Sequence, residues 1–345
     1  MNCDRRLTGV FSIGLCIALF GMAATHSVFA GGSHESYAIP VSGDILDVHD
    51  PSMAKDGNSY YLFSTGDRIS IHSSEDLHRW KSIGSVFQAI PDWAAADIPG
   101  ATNIWAPDIS YYKGEYRLYY AISTFGSNRS DIGLATNSTL DPRSPNYRWI
   151  DRGKVMESLH SDDWNAIDPN FVVDKEGGQW LVFGSFWGGI KLVKLDAATG
   201  KPASVHPSPL SLAYRPEDPH AIEAPYIVFH KGYYYLFASF DFCCRGAGST
   251  YNVRVGRSAS ITGPYVDQKG VAMMDGGGTL ILTGTNRWAG PGGQSIFHDT
   301  NEQWWIVYHS YDGYLGGTPT LRVNPLVWDG GWPGTVLPEE KKQGQ

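Results

Sequence analysis

The sequence predicts an all-β protein, a single five-bladed β-propeller. Three observations carry that prediction. Runs of aromatic and β-branched residues, each of strand length, recur five times along the chain. No long segment places apolar residues at helical spacing. With 40 glycines, 20 prolines and only 18% charged residues, the composition suits many short strands joined by tight turns.

The chain opens on a segment that stands apart from the fold. Arg5 and Arg6 precede the apolar run "VFSIGLCIALFGMAA", and small residues follow up to Ala30. A positive start, a short apolar core and a small-residue cut describe a secretory signal peptide over 1–30, leaving 31–345 as the propeller domain. The run is shorter than the ~20 apolar residues that cross a bilayer. A secreted monomer with no membrane partner is therefore expected. Loss of Asp4, Arg5 and Arg6 makes the formal charge of -8 one unit more negative. Such acidity argues against nucleic acid, whose binding needs basic patches. "NRS" at Asn128 and "NST" at Asn137 match glycosylation acceptors, which matters only in a host that glycosylates.

Cys3 and Cys16 would leave with the signal, so the mature chain keeps Cys243 and Cys244, adjacent in "DFCCRG". Two free thiols sit uneasily in an oxidising compartment. A vicinal disulfide that stiffens its loop is the expected alternative.

The five runs are "YYLFST" from Tyr60, "YRLYYA" from Tyr116, "WLVFGS" from Trp180, "YYYLFA" from Tyr233 and "WWIVYH" from Trp304. A repeat of roughly 50–70 residues holding a hairpin and further short strands is one propeller blade. A two-sheet sandwich also gives many short strands but does not explain five versions of one phrase. Ahead of the runs lie "HDPS", "WAPD", "IDPN", "EAPY" and "GPGGQS". Ten residues separate Asp50 from Tyr60, Ala106 from Tyr116, Glu223 from Tyr233 and Gln294 from Trp304; Asp168 stands twelve before Trp180. These positions are expected to be equivalent, at the start of each innermost strand. In a propeller they meet at one mouth of the central channel, so Asp50, Asp168 and Glu223 should converge.

Three carboxylates at one mouth repel unless one is protonated or a cation intervenes. Calcium binding or separate turn-capping would account for them without catalysis. Glycoside hydrolysis needs such a set: one carboxyl kept protonated for the leaving oxygen, another ionised to activate water. The aromatic richness suits stacking on sugar faces, and a sugar-binding propeller is the rival from another class. No H-E-x-x-H, G-x-S-x-G, P-loop or dinucleotide fingerprint is present, and the cysteines lack zinc-ligand spacing. "SSEDLHRW" hints at a sialidase turn, yet too few arginines lie near blade starts to grip a substrate carboxylate.

Taken in order, "HDPS", "NIWAPDIS", "AISTFGS", "NAIDPN", "FGSFWGGI", "EAPY" and "YYYLFASFDFCC" resemble family 43 glycoside hydrolases, specifically the endo-1,5-α-L-arabinanases, from about Asp47 to Trp332. That resemblance implies endo-cleavage of α-1,5 bonds in arabinan, the pectin side chain, and in arabino-oligosaccharides, with inversion. It implies Asp50 as general base, Glu223 as general acid and Asp168 as the residue that raises the acid's pKa. An inverting pair should stand ~6.5–9.5 Å apart. The same likeness implies sugar contacts from Gly126, from Asn165, Ala166 and Ile167 beside Asp168, and from Ser185, Phe186 and Trp187. Trp105 and Phe125 are the rings chosen as stacking platforms, with packing between blades as the alternative. Asp108 is expected to pin a turn.

The resemblance implies no cofactor for the chemistry, and no metal ligand is assigned. Many relatives carry histidine where this chain has Gln294, and that histidine helps hold an ion on the propeller axis. Glutamine puts the ion in doubt. His309 either faces the channel or packs. An exo-acting arabinofuranosidase or xylosidase of the same fold, and a non-catalytic arabinan-binding propeller, are the alternatives.

Overall fold

The computed structural model describes residues 38–335, so the expected signal peptide lies outside the described residues, as do Cys3 and Cys16. Five sheets follow one another along the chain. Blade 1 runs from Ser42–Gly43 to Arg79–Ser85 and blade 2 from Trp105–Tyr112 to Ile150–Ser158. Blade 3 spans Asn170–Val173 to Leu210–Ala213, blade 4 Ile222–His230 to Thr279–Leu282, and blade 5 Trp288–His298 to Trp332–Thr335. Consecutive strands pair antiparallel in every blade, and blade 1 gains a parallel edge strand, Ser42–Gly43 against Arg79–Ser85. This is a five-bladed β-propeller. Among the described residues the one α-helix is the short Asp92–Asp97, and no helix is long and apolar enough to cross a membrane.

Alternation along the strands explains where the cores sit. Successive side chains point to opposite faces, so each blade offers an apolar face to both neighbours. Tyr120 packs with Phe63 and Ile71 of blade 1, while the adjacent Tyr119 packs with Phe171 and Leu181 of blade 3. The remaining cores lie between blades 3 and 4, 4 and 5, and 5 and 1. The last closes the ring. It holds Leu62 and Trp80 of blade 1 against Val307 and Leu321 of blade 5, with Ile39, Val41 and Ile45 packed alongside. The segment carrying those three residues straps the seam. Ile39 N–H donates to the Val323 carbonyl at 2.7 Å, and Leu321 N–H to the Ile45 carbonyl at 2.9 Å.

Polar clasps tie inner strands together. Ser52 Oγ accepts from Ile109 N–H at 3.1 Å, Asp108 Oδ2 from Phe171 N–H at 2.8 Å, and Asn170 Oδ1 from Ile227 N–H at 2.9 Å. The same position in three successive blades thus satisfies a buried donor of the next. Asp108, expected to pin its own turn, joins blade 2 to blade 3 instead. Burial lifts its carboxyl to about 7, against the opposing bonds from Phe171, Asn170 and Ser52.

Candidate active site

Just before each clasp position the backbone makes the same unusual step. Asp50, Ala106, Asp168, Ala224 and Gly293 all have φ between 40° and 57° in the left-handed region. Proline follows the first four. Residues so placed are sterically costly and persist where the surroundings over-determine them. Register shifts lie at this step in blades 2, 4 and 5, and bulges re-aim side chains beside active sites.

The five-fold set corrects the expected phase. Lys55 pairs with Tyr60 and Phe229 with Tyr234, so Tyr234 rather than Tyr233 matches Tyr60. Ala224 and Gly293 therefore hold the position expected for Glu223 and Gln294, each of which stands one residue away. The extra leading tyrosine at Tyr233 hid this slip in blade 4 and a longer turn hid it in blade 5, and a one-residue slip changes which way a side chain faces. Glu223 still reaches the mouth, from the position that His49 holds in blade 1.

Asp50, Asp168 and Glu223 line one cleft of about 690 Å³. Thr65 Oγ1 donates to Asp50 Oδ2 at 2.7 Å, and His49 Nδ1 lies 2.9 Å from the same oxygen. That leaves Oδ1 as the freer oxygen. Gly293 keeps space for it, because a Cβ there would stand 2.3 Å from Oδ1. Burial alone would push Asp50 up; the charge and hydrogen bond of His49, with the hydrogen bond from Thr65, bring it down to about 2. Glu223 receives Ser185 Oγ on Oε2 at 2.6 Å and the Tyr251 hydroxyl on Oε1. Burial lifts it to about 7, with Asp50 adding to the rise and Ser185 and His49 opposing it. Asp168 accepts Ala224 N–H at 2.9 Å and is likewise raised, by burial first and then by the charges of Glu223 and Asp50. One site thus holds an ionised carboxylate beside a pair that retains a proton near neutrality.

The cleft also takes in Trp105, Phe125, Gly126, Asn165, Ile167, Ser185, Phe186 and Trp187. Phe125 is 85% exposed and Trp105 half-buried, so neither is locked into a core between blades. Ala166 departs from expectation. It is fully buried between blades 2 and 3, since alternation turns it inward when Asn165 and Ile167 face the cleft. Reasoning from sequence missed Thr65, Tyr251, Phe242, Arg245 and the partner of Asp50, His49. His49 was in view in "HDPS"; the others carry no local signal.

Cys243 and Cys244 are joined by a disulfide at the rim of this cleft. His309 is fully buried, stacked on His49 with ring centroids 3.7 Å apart. Gln294 Oε1 accepts from Ser239 Oγ at 2.8 Å and its Nε2 donates to the Ala224 carbonyl at 2.6 Å. Both ends of the amide are committed to neighbours. Gln294 therefore does not fit the part of an axial ion ligand.

A propeller mouth holding carboxylates of opposed ionisation is the arrangement that glycoside hydrolysis needs, and residues 37–333 match glycosyl hydrolases family 43. The chain belongs to that family. It is 45% identical to the extracellular endo-α-(1→5)-L-arabinanase 1 of Bacillus subtilis, over 83% of this chain and 87% of that protein. It is 44% identical to the extracellular exo-α-(1→5)-L-arabinofuranosidase ArbA of Cellvibrio japonicus, over 84% of this chain and 86% of the relative. Among solved structures, an exo-1,5-α-L-arabinanase from a bovine ruminal metagenomic library superposes with a TM-score of 0.82 at 42% identity, covering 87% of this chain and 100% of the other.

Proposed function

We propose that this chain is a secreted, inverting arabinanase that cuts internal α-1,5-L-arabinofuranosidic bonds. The observation that carries the chemistry is the split in ionisation at one mouth: Asp50 held low, Glu223 and Asp168 held high. Asp50, anchored through Oδ2, takes a proton from the attacking water on Oδ1. Glu223 gives its proton to the leaving glycosidic oxygen. Asp168, beside Glu223, disfavours a second negative charge and so helps keep that proton in place. The water between base and acid needs the two carboxyls ~6.5–9.5 Å apart.

Endo action is supported by the spread of contacts. Phe125 comes from blade 2 and Phe242 and Arg245 from blade 4, and all three line the cleft that takes in the trio. Sugar units on both sides of the cut would have surfaces to rest on. The exo reading draws its support from the similarity to ArbA. Secretion is supported by the extracellular naming of both curated relatives and by the signal-like segment at 1–30.

The test is the product profile on debranched linear arabinan, beside Glu223→Ala. A ladder of oligosaccharides, lost in the variant, is expected; arabinose alone would overturn endo action. Proton NMR during the first turnovers should show the β-anomer, as inversion requires, and an α-anomer would overturn it.

A further inference from the structure

The disulfide and the base are linked by a line of hydrogen bonds. Cys244 N–H donates to the Tyr311 hydroxyl oxygen at 2.8 Å. That hydroxyl lies 2.8 Å from His49 Nε2, and His49 Nδ1 lies 2.9 Å from Asp50 Oδ2. Burial opposes a charge on His49, but the charge and hydrogen bond of Asp50 outweigh it and raise its pKa, so Nδ1–H donates to Asp50 and Nε2–H to the Tyr311 hydroxyl oxygen. His309 closes the other side. Its ring stacks on His49, and its Nδ1 accepts Asp50 N–H at 3.1 Å. Both nitrogens of His49 are spent on this line although the side chain keeps 20% exposure at the cleft.

We propose that Tyr311 and His49 are positioning residues for the base, transmitting the fixed backbone of the Cys243–Cys244 loop to the Asp50 carboxylate. The proposal rests on Asp50 being the base. A histidine with both nitrogens held is fixed in ring plane, and so holds the carboxylate it touches in one orientation. The phenol is the joint of the line. Remove it, and His49 keeps its contact with Asp50, the stack on His309, the edge of the ring at 311 and a long 3.8 Å approach to Cys244 Sγ, with no oxygen partner left on Nε2. Tyr311 itself stays protonated, because burial raises its pKa. The ionisable groups facing His49 are Asp50, Glu223, His309 and Tyr311; Asp168 adds its charge near Asp50. His309 is held neutral by burial and the neighbouring His49, so it does not replace His49 as the cation.

Tyr311→Phe keeps the ring and deletes the joint. We expect kcat on linear arabinan to fall about tenfold with KM within about twofold, since a small misplacement of a catalytic group is costly while ground-state binding is untouched. The acid limb of kcat/KM should move up by about one pH unit, because a looser His49 depresses Asp50 less. Reducing the disulfide of the wild-type protein with a phosphine should shift that limb the same way. Melting temperatures taken in parallel confirm folding. An unmoved acid limb in both Tyr311→Phe and the reduced wild type overturns the proposal. Asp50→Asn separates the two readings: if it retains activity, the base assignment itself fails, whatever Tyr311→Phe does.

Discussion

Ionisation sets the working range at the scale of single residues. As the proposed acid, Glu223 must hold its proton, so activity on arabinan should decline as pH rises through about 7, the value to which burial lifts it. Glu223→Ala should lower kcat by about 10²–10⁴, and less on an aryl arabinofuranoside whose leaving group needs no proton. Stability carries the same sign. A folded-state pKa raised above the unfolded one contributes fully below the unfolded value and is lost as pH climbs through the folded value. For Glu223 that window runs from 4.5 to about 7. Glu223→Gln should therefore melt higher than wild type at pH 8, by something on the order of 3 kcal/mol at most, and show no such gain at pH 4. Equal melting temperatures at both pH values would contradict the raised carboxyl.

The trio was legible in the sequence because each acid lies within two residues of a proline in a repeated phrase, and repetition reveals symmetry without coordinates. The shared backbone position was not. An extra leading tyrosine in blade 4 and a longer turn in blade 5 moved the phase by one residue, and only pairing such as Phe229 with Tyr234 restores it. Tyr251 and Tyr311 were invisible for a different reason. Tyr251 lies outside the repeated phrases and Tyr311 two residues past the fifth run, and nothing local distinguishes them from the chain's other tyrosines. Ala166 was misjudged because a motif names a stretch, whereas alternation decides which members face the sugar.

Interblade contacts govern the elements. Asp108→Ala removes an acceptor from Phe171 N–H and from Asn170 Nδ2. Leaving those buried donors unpaired costs about 1–3 kcal/mol, and thermal unfolding should register it with little effect on KM. Gly292 links packing to chemistry. An added Cβ there would fall 2.2 Å from the Tyr251 ring, whose hydroxyl holds Glu223. Gly292→Ala should thus lose activity beyond its loss of stability, and a pH profile with a displaced basic limb would show that the acid was disturbed. A variant with full activity would mean that Tyr251 does not hold the carboxyl in place.

At the scale of the molecule, the fold is a ring whose seam is sealed by a strap, residues 39–46, lying across blades 5 and 1. The overall architecture followed from periodicity; the strap did not, since its few apolar residues form no repeat. Removing residues up to 46 should lower the melting temperature more than any single clasp substitution. Calorimetry on the shortened chain would test this, and an unchanged transition would mean that the apolar seam alone keeps the ring closed.

The placement of Asp50 has a consequence for the order in which the enzyme is made. Its carboxylate belongs to the first blade, yet His309 and Tyr311, on which its surroundings depend, lie 259 and 262 residues further along from Asp50 and His49 respectively. A ribosome releases the amino-terminal end first, so a growing chain carries the base long before the groups that tune it. Catalytic competence then arrives only with the final blade. With Asp50 as the proposed base, a nascent or prematurely terminated chain is expected to be inert, and the appearance of activity after refolding would then clock completion of the circle.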